Sequence, residues 1–216
     1  MKKEFLKRLI SSIILFPLII FLILKGSFFL NLFLLICLLL SCYEWHLMTK
    51  LKPYYFYGFI FLIFSFYTAY EIINLDNSRN LFLIVLLICV ATDIGGYIFG
   101  NIFKGPKLTK ISPNKTYSGM IGSFLLALST IYIFSSILHN LVDLKFSLSL
   151  FLFTITISAI SQIGDITISY FKRKSDIKNT NNIIPGHGGL LDRIDGMIFA
   201  YPFSYLILLT NLFKKF

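Results

Sequence analysis

Seven stretches with few or no charges, at 9–24, 26–43, 53–70, 80–103, 116–138, 146–171 and 196–213, leave this chain too little polar surface to wrap a soluble core. A helix needs roughly 17–25 residues at 1.5 Å rise to cross the hydrocarbon layer. The runs predict an all-α fold, a polytopic integral membrane helical bundle of about seven transmembrane helices, treated as one domain over 1–216. Composition agrees, with 56% hydrophobic and 14% charged residues and a mean hydropathy of +0.80. The first run has 16 residues and adjoins the second at Lys25, which predicts a tilted hairpin or a partly inserted element. The opening MKKEFLKRLISSIILF has the basic head and apolar core of a signal peptide. It lacks a small-residue cleavage site at Lys25-Gly26-Ser27, so it reads as an uncleaved span. Pro17 and Pro202 lie inside runs and predict kinks whose freed backbone groups neighbouring helices must satisfy.

The net charge of +10 would point to nucleic acid if it lay on a soluble surface. Here the basic residues cluster between apolar runs, so membrane lipids and an anionic substrate are the expected partners, and nucleic acid is not. With seven spans, 15 of the 20 Lys and Arg residues share one side, leaving Lys25, Arg79, Lys145, Lys214 and Lys215 opposite. The positive-inside rule makes the first side cytoplasmic. Cys37, Cys42 and Cys89 sit inside apolar runs without paired spacing and read as structural. His46 and His139 read as lone interfacial histidines.

Three polar clusters interrupt this background. The first is Ala91-Thr92-Asp93-Ile94-Gly95-Gly96-Tyr97. An aspartate inside a span must be paired, hydrated or metal-bound, and its glycines permit close approach of a backbone or ligand. A helix-packing polar residue is the alternative there. The second is the loop 110–119, where Ser112, Lys115 and Thr116 offer hydroxyl and ammonium donors to phosphate oxygens. Its lysines are equally explained by topology alone. The third, 164–195, carries Asp165, Asp192 and Asp195 with Lys172, Arg173 and Lys178. Asp192 and Asp195 are three apart and would share one helix face. Carboxylates without a His/Cys set suit a hard divalent cation, above all Mg²⁺ carried with a triphosphate. Gly186, Gly188 and Gly189 free the backbone around His187 to wrap a phosphate or base. The alternative for this loop is a tight turn whose charges pair among themselves, such as Asp192 with Arg193.

Over residues 91–195 the chain resembles the bacterial phosphatidate cytidylyltransferases (CDP-diacylglycerol synthases). The likeness rests on Ser169-x-Phe171-Lys172-Arg173, then Lys178, then Pro185-x-His187-Gly188-Gly189-x-x-Asp192-Arg193-x-Asp195. Upstream, Asp93-x-Gly95 and Ser112-Pro113-x-Lys115-Thr116-x-x-Gly119 match in the same order. The chain departs from the family at Asn179, Asn181, Ser118 and Ile168, three of which replace common acids, while Asp165, Asp192 and Asp195 remain.

The resemblance implies transfer of the cytidylyl group of CTP to phosphatidate in the bilayer, giving CDP-diacylglycerol and pyrophosphate for phospholipid synthesis. The N-terminal spans occupy about 1–70 and the catalytic part about 80–213, in the cell (inner) membrane with cytoplasmic active-site loops. In that reading Asp165 and Asp192 hold Mg²⁺, Asp195 is a ligand or supports one, and Asp93 completes the shell. A second cation, monovalent or divalent, and a homodimer are left open. Lys172, Arg173 and Lys178 screen phosphates, Arg193 does so or orients an aspartate, and His187 with Gly186, Gly188 and Gly189 shapes the nucleotide pocket. Ser112, Lys115 and Thr116 hold a phosphate. Two alternatives compete. A CDP-alcohol phosphotransferase would need an acidic pattern spread over consecutive helical turns, and a cation transporter would use Asp93 and Asp165 as ion ligands.

Overall fold

A computed structural model of the chain describes residues 27–50, 52–75, 79–109, 111–112, 115–142, 145–177, 180–181 and 188–210. The first apolar run, with Pro17 and Lys25, lies outside them. The described residues form α1 (Ser27–Thr49), α2 (Tyr55–Asn74), α3 (Arg79–Phe103), α4 (Tyr117–Val142), α5 (Leu148–Lys174), the single turn α6 (Leu191–Ile194) and α7 (Met197–Thr210). Five of these helices are long and apolar enough to cross a membrane, and α7 is a shorter apolar one. The predicted all-α membrane bundle is what forms. The six runs after the first each become a helix, and α6 was not foreseen as a separate turn.

Lipid is as apolar as Leu, so these helices gain little from hiding Leu from solvent; close backbone packing and interhelical hydrogen bonds must associate them. Helices α3 and α4 show this most strongly. A Cβ added at Gly95 would stand 2.5 Å from Gly122 O, and one at Gly119 would stand 2.8 Å from Gly96 O. Ser123 Oγ donates to Thr92 O (2.7 Å), and Thr92 Oγ1 donates onward to Ser158 Oγ on α5 (2.8 Å). The glycines after Asp93 therefore set the α3–α4 contact. Around this seam Ile72, Ile84, Val85, Ile88, Ala127, Ile131, Leu150, Phe153, Ile157 and Ala200 form the main core, with Phe82 stacked on Tyr201 at 4.9 Å.

A second cluster fastens α1 and α2 to α5, α6 and α7. Trp45, Leu62, Phe66, Ile168, Leu191 and Ile198 are buried together, and Trp45 Nε1 donates to Tyr55 O at 2.9 Å. Trp45 meets Phe171 edge to face, while Tyr54 and Ser175 join through their hydroxyls at 2.9 Å. Gly58 leaves the space the Trp45 indole fills.

Pro202 lies inside α7, where it has no N–H to offer the carbonyl of Ile198 four residues back. Ser65 of α2 donates its hydroxyl to that carbonyl instead, so a neighbouring helix satisfies the group the proline frees. Ser65→Ala should orphan a carbonyl with no water to replace the donor, at a cost of about 1–2 kcal/mol. Thermal unfolding in detergent should fall by a few degrees, and Ser65→Thr should restore it; an unchanged midpoint in Ser65→Ala would contradict the assignment.

Candidate active site

The polar clusters converge because three helices and one turn deliver them to the same place. On α5, Asp165, Ser169 and Lys172 follow at intervals of four and three residues, one face of a helix. On α3, Asp93 stands one residue from the Thr92 bond to α5. The loop between α3 and α4 is pinned by Leu108 N to Lys115 O (2.8 Å) and Tyr117 N to Pro106 O (3.1 Å). Thr116 then caps α4, its hydroxyl accepting from Gly119 N at 3.1 Å. Lys115, held at the neck of that loop, reaches across to Asp165 Oδ2 at 2.5 Å and Gln162 O at 3.4 Å.

The last acid arrives through two glycines. A Cβ on Gly164 would lie 2.8 Å from Asp195 O and 2.7 Å from the Phe199 ring, and one on Gly196 would strike Ser161. Bare backbones at both positions let the start of α7 approach α5 closely enough for Asp195 to join Asp165. Asp195 is buried and accepts from Gly196 N at 2.9 Å. That burial, and then the neighbouring carboxylates of Asp165 and Asp93, hold its carboxyl well above the usual carboxylate range.

Together these residues line one cavity of about 360 Å³: Asp93, Ser112, Lys115, Thr116, Gln162, Asp165, Lys172, Asp192, Arg193 and Asp195 all face it. Lys172 Nζ and Asp192 Oδ1 form an ion pair at 2.8 Å, with both side chains only 10% exposed. Asp192 Oδ2 also accepts from Thr180 N (3.0 Å) and Gly189 N (3.3 Å), so this carboxylate holds the turn that carries it. Its paired cation is Lys172 on α5.

Other residues singled out from sequence fall elsewhere. Arg173 is exposed beside the cavity residues and donates to Ile177 O at 3.1 Å. Gly188 takes a left-handed backbone (φ 93°), which glycine tolerates best. Lys178, Gly186 and His187 lie outside the described residues, as does Asn179. Ile168, where the family resemblance leads one to expect an acid, points into the apolar cluster with Trp45 and Leu191, so no carboxylate is missing from the cavity on its account. Ser118 shares a hydrogen bond with the capping Thr116 at 3.0 Å.

One acid was passed over. Glu44 of α1 is fully buried, and Oε1 accepts from Leu190 N (2.7 Å) while Oε2 accepts from Leu191 N (2.8 Å) and Thr180 Oγ1 (2.9 Å). It stands directly after the apolar run 26–43 and within α1, a place where an acid needs partners.

The donor set is one of hard oxygens. Among the described residues no three His, Cys, Asp or Glu side chains converge tightly enough to hold an ion unaided. Mg²⁺ travelling with a triphosphate needs only one or two carboxylates, its remaining positions being water and phosphate, and the acids lining the cavity that could supply them are Asp93, Asp165, Asp192 and Asp195.

Comparison with known proteins places the chain. A model of the cytidylyltransferase family matches residues 51–211. The phosphatidate cytidylyltransferase of Rickettsia felis is 35% identical over 216 residues, covering 95% of this chain and 93% of the relative. That of Rickettsia bellii is 37% identical over 215 residues, covering 95% and 91%. The enzyme of that name from Bacillus subtilis is 36% identical over 151 residues, 69% of this chain and 55% of its own. With a match across most of its length, and its acids and lysines gathered in one cavity of a membrane bundle, the chain belongs to the cytidylyltransferase family.

Proposed function

We propose that this chain transfers the cytidylyl group of CTP to phosphatidate, giving CDP-diacylglycerol and pyrophosphate. The observation that carries the reading is the convergence of four aspartates and two lysines, drawn from separate elements of a membrane bundle, on one cavity. The curated relatives, named phosphatidate cytidylyltransferase, support it over most of the chain.

The chemistry fits what the cavity offers. A phosphate oxygen of phosphatidate attacks the α-phosphorus of CTP; a new P–O bond forms, the bond to the β-phosphate breaks, and pyrophosphate leaves with its electron pair. The second pKa of a phosphate monoester is about 6, so the nucleophile is already largely dianionic at neutral pH and no strong general base is required. The protein's task is then to align two anions and offset their charge. Lys115 and Lys172, each now paired with an aspartate, would share their ammonium groups with phosphate oxygens. Ser112 and Thr116 line the same cavity.

Asp165 and Asp192, with Asp195 as a ligand or its support and Asp93 completing the shell, are the residues that would hold Mg²⁺, and all four line the cavity. When bound, that ion would neutralise charge building on the leaving pyrophosphate. The family resemblance would assign Lys178 to a phosphate and His187, with Gly186, Gly188 and Gly189, to the nucleotide pocket. Arg173 would act on a phosphate after leaving the Ile177 carbonyl. The acyl chains of the acceptor would remain among the lipid-facing apolar residues, so a reaction between phosphates can occur beside a bilayer. The basic loops would face the cytoplasm, the source of CTP, with the bundle in the cell (inner) membrane.

The test is a substrate panel with detergent-purified protein: CTP, dCTP, UTP and ATP, each with phosphatidate, diacylglycerol or CDP-diacylglycerol plus an alcohol. The expected result is a nucleotidyl-lipid from CTP and phosphatidate. Product only from CDP-diacylglycerol plus an alcohol would overturn the reading in favour of a phosphotransferase.

A further inference from the structure

The turn that carries Asp192 and leads to Asp195 is not held by its own segment alone. Its first two N–H groups, from Leu190 and Leu191, point at the carboxylate of Glu44, far away in sequence on α1. Thr180, just beyond α5, donates its hydroxyl to the same carboxylate and its N–H to Asp192. Thr180 thus links the two acids, and Glu44 gathers both ends of the polar segment between α5 and α6. Gly189 passes so near that a Cβ there would collide with the Thr180 hydroxyl and stand 2.8 Å from Glu44 Cδ.

We propose that Glu44 is a positioning residue for the reaction, a buried clamp that draws Thr180 and Leu190–Leu191 together and so sets where Asp192 and Asp195 stand. The proposal rests on the reading of the cavity as the reaction site. Residue chemistry explains why a carboxylate is used. Three donors converge on it, and a carboxylate is acceptor-only with lone pairs for all of them. Glutamine would turn an NH₂ group toward one of the two backbone N–H groups and leave it unpaired in a buried place, where hydrogen bonds to a charged acceptor count most. Because Glu44 does not line the cavity, it acts only through the turn.

The experiment compares wild type, Glu44→Gln, Glu44→Asp and Thr180→Val in detergent by hydrogen–deuterium exchange and by steady-state CDP-lipid formation. In Glu44→Gln, exchange at Leu190 and Leu191 should rise about tenfold or more, with α2 and α5 unchanged within about twofold. Its kcat should fall by about 10–100-fold, as expected for losing one charged hydrogen bond, while the KM for phosphatidate stays within about twofold. Thr180→Val should show the same pattern more weakly, and Glu44→Asp should recover part of the loss. Wild-type kcat in Glu44→Gln overturns the proposal. So does loosening of the whole bundle in Glu44→Gln together with unchanged local exchange and kcat in Thr180→Val, which would make Glu44 a general structural residue. If Glu44→Gln does not fold, Thr180→Val decides by the same two readouts. A wild type that makes no CDP-lipid would defeat the reading of the reaction, while the exchange data would still decide the clamp.

Discussion

Asp192→Asn is expected to lower CDP-lipid formation by about 10²–10⁴-fold. The carboxylate has three partners, the Lys172 ammonium at 2.8 Å and the N–H groups of Thr180 and Gly189. Asparagine keeps one acceptor oxygen and no charge, leaving the ammonium of Lys172 uncompensated where only 10% of the side chain is exposed. Breaking a buried pair in this way costs about 3–5 kcal/mol. At about 1.36 kcal/mol per factor of ten, a cost falling on the closed turn gives the stated range. Lys172→Met should be similarly damaging from the other side. The double variant separates stability from chemistry: with both charges gone it should unfold at a higher temperature than either single variant, yet remain inactive. Activity in Asp192→Asn above about a tenth of wild type would show that the pair is incidental to turnover.

Gly164→Val tests the approach of α5 and α7 that puts Asp165 beside Asp195. The new side chain would press on the Asp195 carbonyl and the Phe199 ring, and the carbonyl cannot retreat without moving the turn. Overpacking of this kind costs about 1–3 kcal/mol, which a bundle of six described helices and one turn should survive. A displacement of about 1 Å between groups that must act together can cost about 10²-fold in rate. The expected outcome is therefore a folded protein with turnover reduced about 100-fold, and Gly164→Ala in between. Wild-type turnover in a folded Gly164→Val would mean that Asp165 and Asp195 need not be close.

How far the sequence alone reached can be argued from particular residues. Apolar run length located the helices because a span has a minimum length and few charges, and it anticipated that Pro202 would need help from a neighbour. The identity of that helper, Ser65, depends on how α2 crosses α7, which no local pattern encodes. The same limit applies to Asp192: adjacency offered Arg193 only as an alternative partner, and the fold supplies Lys172 from the end of α5. Spacing set Asp192 and Asp195 three apart, on what would be one helix face, since helical periodicity is local, and both line the cavity. The meeting of Asp165 with Asp93 and Lys115 depends instead on contacts to α5 from elsewhere, the Thr92–Ser158 bond and the Lys115 pair. Ile168 looked like a lost acid when counted along the motif, and proved to face the core. Glu44 was missed because it lies outside every motif and just past the apolar run 26–43, although the helix continues through it and buries it. Lys178, Gly186 and His187 fall outside the described residues, and their roles rest on the family resemblance.

The most direct measurement follows label from two positions of CTP. Purified protein is incubated with phosphatidate and Mg²⁺, using CTP labelled at the α-phosphate in one reaction and at the γ-phosphate in the other. Cytidylyl transfer predicts that the α label enters the lipid fraction and the γ label is released as pyrophosphate, both stopping when Mg²⁺ is chelated. Appearance of the γ label in lipid, or absence of the α label from it with well-folded protein, would contradict the account.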